Sequence, residues 1–362
     1  MSALAGILGT IIVVVVLVDV VQTIVVPRRS PRWTRPTSYP VAGLWLLWRA
    51  IGLRMNSRDG REGFLGSFGP LAVLLLLVGW AFWLIVGYGL MLDALPSQIH
   101  PAPRNLGEAI YFAATALLTI GFGDFVATGG LARAVTLLAG ASGLGIFALV
   151  ISFLYSLYGS FQQREVSVVV LEAAAGAPPS GVTLLEVYSR LGLLDDLPDL
   201  FADWQVWAAQ VLDSHLAFPI LAYFRSSHEN DSWVSSLGAV MDASTLVLTV
   251  VEGGPKGRAK LFQAVGGHCL EDLVQYLKVP TEDGVGIERS EFEEARQRLA
   301  RAGWELRDAE EAWSDFSHLR AAYAGRVNAL AHYWAAPPAQ WIGDRSELKH
   351  RHATREISIG RS

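Results

Sequence analysis

The sequence predicts an all-α membrane protein with three transmembrane helices per chain, one short re-entrant helix ending in a glycine-bearing turn, and a helical cytoplasmic domain. Three observations lead there. The 362 residues are 52% hydrophobic with a mean hydropathy of +0.34, too apolar for an average soluble chain and long enough for two domains. Three apolar runs can each cross a hydrocarbon core about 30 Å thick at about 1.5 Å rise per residue. After Arg164 the composition changes to that of a soluble domain. The net charge of −5 is small, and the basic residues gather in one early segment, so no nucleic-acid partner is expected. The single cysteine, Cys269, excludes an intrachain disulfide and any cysteine-rich zinc site. Ala, Leu, Gly and Arg dominate over Lys, which suits a GC-rich bacterial genome.

The first run, residues 3–26 within an N-terminal segment 1–26, is interrupted only by Asp19, Gln22 and Thr23 near its end. It reads as a transmembrane helix and not as a cleaved signal peptide, because Arg28 and Arg29 follow directly with no small-residue cleavage site. The positive-inside rule puts the N-terminus outside, in a multi-pass protein of the cell membrane. Asp19 is costly in lipid, so it should face protein or the inner interface, for anchoring or for gating. Residues 27–68 hold eight arginines (28, 29, 32, 35, 49, 54, 58 and 61) against Asp59 and Glu62, which makes this loop cytoplasmic. Within it Val41, Leu44, Trp45, Trp48, Ile51 and Met55 recur at helical spacing. That pattern suits a helix lying in the membrane interface, or one packed on the soluble domain.

Residues 69–92 carry no charge and form the outer helix. The proline-rich stretch 93–104 is an outer loop. Asn105 then opens a helix, with Glu108 as capping-box partner. The helix over 106–118 is too short to span, so it must re-enter and stop half-way, where non-helical backbone is tolerated only if enclosed by protein or lining a water-filled path. Its negative dipole end favours a cation at the membrane centre. The hexapeptide 119–124 follows, then the inner helix over 131–161, which contains Gly140, Gly143 and Gly145. No crossing carries an arginine at every third position, so there is no voltage-sensor helix of the usual kind.

The hexapeptide Thr119-Ile120-Gly121-Phe122-Gly123-Asp124 has two glycines one residue apart. Glycine tolerates φ > 0, so successive carbonyls can point the same way. Four such strands around one axis would stack carbonyl rings able to replace the water shell of K⁺. Here the sequence resembles the potassium channel pore family, whose filter reads T-x-G-Y/F-G-D, over residues 69–161. The resemblance implies a two-helix, re-entrant-loop module with an added N-terminal membrane helix. It implies that the backbone carbonyls of Thr119, Ile120, Gly121, Phe122 and Gly123 bind K⁺, with the Thr119 hydroxyl at the inner end. Asp124 and Thr115 would support the filter. A gating hinge would lie near Gly143, where close helix–helix packing is the alternative. The implied protein is a passive channel and no enzyme, with K⁺ as permeant ion, no cofactor and no other metal. It is a homotetramer in lipid, because one chain holds one filter segment. Tyr111-Phe112-Ala113 stands where relatives carry a Trp pair, and Thr115 stands near their carboxylate. Asp124 is therefore expected to lack its usual partners and to brace the filter weakly. A weakly selective cation channel and a membrane-anchored sensor with a closed pore fold are the rivals.

The pore domain spans 69–163 and a helical cytoplasmic domain 164–336. A linker is expected over 173–181, with a Thr183–Glu186 capping box after it. Trp233, Leu237, Val240, Ser244, Val247 and Val251 share a face of a buried core helix that includes Asp242. Ser290 with Glu293 should cap a helix through Ala302. Asp308 with Glu311 should start the last helix, whose apolar face is Phe316, Leu319, Tyr323, Val327 and Leu330. From Pro337 a mobile tail, 337–362, is expected. No Gly-rich phosphate loop follows a strand, so a nucleotide-binding domain is not expected. His268 and Cys269 read as a core pair, and Trp204, Trp207 and Trp313 as core. The domain's effector is unreadable. Gating is expected from this domain pulling on the third crossing and not from voltage, with cytoplasmic pH as a candidate signal through histidines 215, 228, 268, 318 and 332.

Overall fold

The computed structural model describes residues 2–25, 38–226, 230–281 and 286–343. Arginines 28, 29, 32 and 35, His228 and the end of the tail lie outside them. In chain order the helices are α1 (Ser2–Ile24), α2 (Ser38–Gly52), α3 (Arg58–Gly66), α4 (Phe68–Asp93), α5 (Leu106–Leu117), α6 (Gly130–Ala175), α7 (Gly181–Arg190), α8 (Leu197–Ala217), α9 (Trp233–Thr249), α10 (Lys256–Leu277), α11 (Arg289–Arg301) and α12 (Ala309–Tyr333). A two-residue antiparallel pair joins β1 (Ile99–His100) to β2 (Val126–Ala127). Three described stretches, Ala3–Ile24, Asp59–Asp93 and Gly130–Ala175, are long and apolar enough to cross a membrane. The chain divides into two compact units, Met1–Trp48 with Ser67–Gly159, and Arg49–Gly66 with Ser160–Ser362.

In the first unit α1 lies along α4. Glycines make this possible: a methyl added at Gly9 would lie 2.4 Å from the Gly87 carbonyl oxygen, and one at Gly87 would lie 2.8 Å from Val13. Small residues at such crossings let helix backbones approach closely in lipid. Asp19 is buried and its carboxylate accepts from the Trp80 indole at 2.7 Å, so it faces protein. Gln98 orders the start of α6. Its carbonyl accepts from Thr128 and Gly129, and its side-chain oxygen accepts from the N–H groups of Leu131 and Ala132 at 3.1 and 3.2 Å, satisfying donors that a helix start leaves open. Trp45 is buried and packs its ring at a tilt against Phe68, centroids 5.1 Å apart.

In the second unit α9 is buried on every side, as a core helix requires, and packs against α7, α10 and α12. Its Asp242 accepts from Arg320 at 2.9 Å and from the Tyr323 hydroxyl at 2.6 Å. The pairing lets a buried carboxylate stay charged, since a lone buried charge is strongly destabilising. Trp204 and Trp207 are core, while Trp313 is half-buried under the Arg289 guanidinium. The α2 end and α3 belong here too. Arg49 donates to the His332 carbonyl at 2.9 Å, and Arg225 bridges Glu62 to the carbonyls of Trp334 and Ala335. The basic stretch therefore does not lie wholly in the membrane interface.

Several expected boundaries move. The inner helix does not stop at 161 but continues to Ala175, shortening the expected linker. Ser180, not Thr183, caps α7, accepting from the Thr183 N–H at 3.1 Å. Glu186 and Thr183 instead hold Arg298. Glu288, not Ser290, caps α11 in a box with Glu291, and Glu293 pairs with Arg289. Residues 337–343 are no tail. Ala339, Trp341 and Ile342 are buried, the Trp341 carbonyl accepts from Arg320, and Gln340 binds Ser180. Cys269 is buried while its neighbour His268 is exposed, because adjacent residues on a helix point about 100° apart.

Candidate functional site

The site grows out of α5. Asn105 caps it by accepting from the Glu108 N–H at 3.0 Å. The reciprocal half of the expected box is missing, since the Glu108 carboxylate turns to Arg104, whose N–H and guanidinium donate at 2.7 and 2.8 Å. At its other end α5 stops at Leu117, where the chain reverses hand at Thr119, φ 55°. The N–H groups of Ile120 and Gly121 turn back onto the Thr115 carbonyl at 2.8 and 3.2 Å. Thr115 therefore supports this turn through its backbone, while its hydroxyl donates to the Phe112 carbonyl at 2.9 Å.

Along the hexapeptide the backbone alternates. Thr119 (φ 55°), Gly121 (58°) and Gly123 (82°) are left-handed, and Ile120 and Phe122 between them are not. Alternating hands let successive peptide carbonyls face one side, whereas along a strand they alternate. A β-branched residue with positive φ is an outlier of the sort that gathers at functional sites. Nothing lies within 4 Å of a methyl added at Gly121 or Gly123. Glycine is required there by conformation and not by space. The segment is exposed on the single chain, Ile120 by 51% and Phe122 by 69%.

The other expected residues distribute around this turn. Beside Asp124 stands the Tyr111 phenol. Tyr111 also rests edge-on against Phe125, centroids 6.2 Å apart. Tyr111 lies one helical turn before Thr115, which is the signal that could have marked it. Gly143 meets the end of α5 directly: a methyl there would lie 1.8 Å from the Leu117 carbonyl oxygen, and α6 runs through it as unbroken helix. At the neighbouring residue Tyr88 ties α4 to α6 through Ser142 at 2.7 Å. Neither Gln98 nor Tyr88 carried any mark in the sequence.

The start of α6 in the second unit is held by a buried group. Arg164 pairs with Glu165 at 2.9 Å, donates to the Phe224 carbonyl at 2.7 Å, approaches His215 at 3.3 Å and lies over the rings of Phe161 and Trp233. Burial, then the charge of Arg164, pushes the His215 imidazole down to about 3. This histidine therefore cannot titrate near neutrality.

Residues 71–159 match a family model described as an ion channel. That ion-channel segment holds most of α4, all of α5 and the hexapeptide, and α6 as far as Gly159. The uncharacterized membrane protein YdjJ of Bacillus subtilis (strain 168) is 25% identical over 223 residues, which is 59% of this chain. The match spans 63% of that relative's length. No solved structure matches the chain.

Proposed function

We propose that four copies of this chain form a K⁺-selective channel, with the carbonyls of Thr119, Ile120, Gly121, Phe122 and Gly123 and the Thr119 hydroxyl replacing the ion's hydration shell. The observation that carries this reading is the alternation of left-handed Thr119, Gly121 and Gly123 with Ile120 and Phe122, inside the ion-channel segment. Rings of carbonyls conduct by offering a dehydrated cation several equivalent sites in line. The C-terminal dipole end of α5 adds a favourable potential for a cation. The exposed filter supports the tetramer, since in one chain these carbonyls would face no partner ring. In this reading the protein is multi-pass in the cell membrane with its N-terminus outside. Its C-terminal domain is cytoplasmic and gates the pore through α6, independently of voltage.

The test is ion flux into liposomes holding the purified protein, with K⁺ and then Na⁺. K⁺ uptake should exceed Na⁺ uptake, and Gly121→Ala should abolish both by forbidding the left-handed turn. Equal K⁺ and Na⁺ flux would point to the weakly selective channel, and no flux of either to the closed sensor. Unaltered K⁺ flux through an assembled Gly121→Ala tetramer would sink the filter assignment.

A further inference from the structure

α1, α2 and α4 line a cavity of about 520 Å³, and every residue of its wall lies in the first unit. That volume falls in the range of clefts that hold small molecules, about 300–1,000 Å³. Apolar side chains make almost all of the wall, among them Val16 of α1, Leu44 of α2 and Leu76 of α4. Trp80 and Trp83 of α4 line it as well. Gly79 leaves room beside them, since a methyl added there would meet nothing within 4 Å.

Among the described residues the one charged side chain on this wall is Asp19. It is 1% exposed, and its carboxylate accepts from the Trp80 indole at 2.7 Å. A carboxylate offers about four acceptor positions, so that indole alone does not exhaust it. Ionisable groups within membrane-crossing helices are costly, and they mark ion paths or the counter-ions of ligands. No lysine, arginine or histidine among the described residues lines the cavity. A phosphate-bearing lipid head would therefore be buried there without a basic partner, which is strongly unfavourable. A positive group is favoured on two counts: it pairs with the carboxylate, and indole rings attract cations, more so away from water. We infer that this cavity binds an amphipathic organic cation, an apolar body carrying one ammonium group and no phosphate. The ammonium sits at Asp19, and the apolar body lies along Val16, Leu44 and Leu76. None of the wall residues belongs to the hexapeptide, and binding does not require ion flux.

The test titrates radiolabelled dodecylammonium against the full chain in phosphatidylcholine vesicles. Saturable binding is expected above the linear background that partition into lipid produces. Unlabelled dodecylammonium should displace the probe at least about tenfold more effectively than dodecanol, a factor that one charge-assisted hydrogen bond supplies. This comparison is made in the wild type, so it decides even where a variant does not fold. Asp19→Asn keeps an acceptor for Trp80 but removes the charge, and should weaken saturable binding at least about tenfold. Gly79→Leu fills the cavity and should abolish it. Linear binding without saturation in the wild type would overturn the site, whether lipid or a second copy fills the cavity. Equal displacement by dodecanol, or unaltered binding in folded Asp19→Asn, would overturn recognition of the cation. Unaltered binding in folded Gly79→Leu would place the ligand elsewhere and overturn the cavity assignment.

Discussion

Tyr111 shows how a single hydroxyl changes the expectation for the filter. A phenol beside Asp124 is the group placed to stand in for the missing indole and carboxyl partners. Tyr111→Phe removes only that hydroxyl. It should leave assembly intact and make conduction decay faster at low external K⁺. Currents as sustained as those of the wild type would contradict the brace. His215 acts on stability. Folded, it stays neutral down to about 3, whereas the unfolded imidazole protonates near its ordinary 6.5. The unfolded state then binds one more proton in that window, so stability is full above about 6.5 and falls by about 1.4 kcal/mol per unit as pH drops. Thermal unfolding followed by tryptophan emission should show that acid slope, shallower by one proton in His215→Gln. Identical slopes would refute the assignment.

At the scale of elements, α5 and α6 meet through Gly143, and the contact is backbone against backbone. Gly143→Ala must push the Leu117 carbonyl away, at a cost of about 1–3 kcal/mol for overpacking. Gly145, two residues on, has nothing within 4 Å of an added methyl, so Gly145→Ala should be neutral or stabilising by up to about 1 kcal/mol from helix propensity. Melting temperatures of the two purified variants, with their K⁺ flux, test this. Equal behaviour would mean that Gly143 is not needed for packing and would return it to the role of hinge.

For the whole molecule, coupling between the C-terminal unit and the pore is expected to pass through Arg164. One guanidinium there, paired with Glu165 on the same helix, ties α6 to His215, Leu221 and Phe224. Arg164→Gln leaves the Glu165 carboxylate without its buried partner and should cost about 3–5 kcal/mol. Open probability in Arg164→Gln should move toward that of a chain truncated after Gln163. A variant that melts lower yet gates as the wild type does would separate the latch from gating. Arg225 pairs with Glu62 of α3 within the same unit.

Three helices long and apolar enough to cross, the short α5 and the glycine spacing of the hexapeptide were legible in the chain itself, because lipid demands long apolar runs and left-handed backbone favours glycine. Both are local constraints, written in consecutive residues. The caps at Ser180 and Glu288, the buried end at Trp341, the brace at Tyr111 and the Gly143 contact were not legible. Each depends on groups distant in the sequence, as when Arg298 draws Glu186 away from a helix start. Periodicity names a helix face but not what lies against it, and only the tertiary structure decided that.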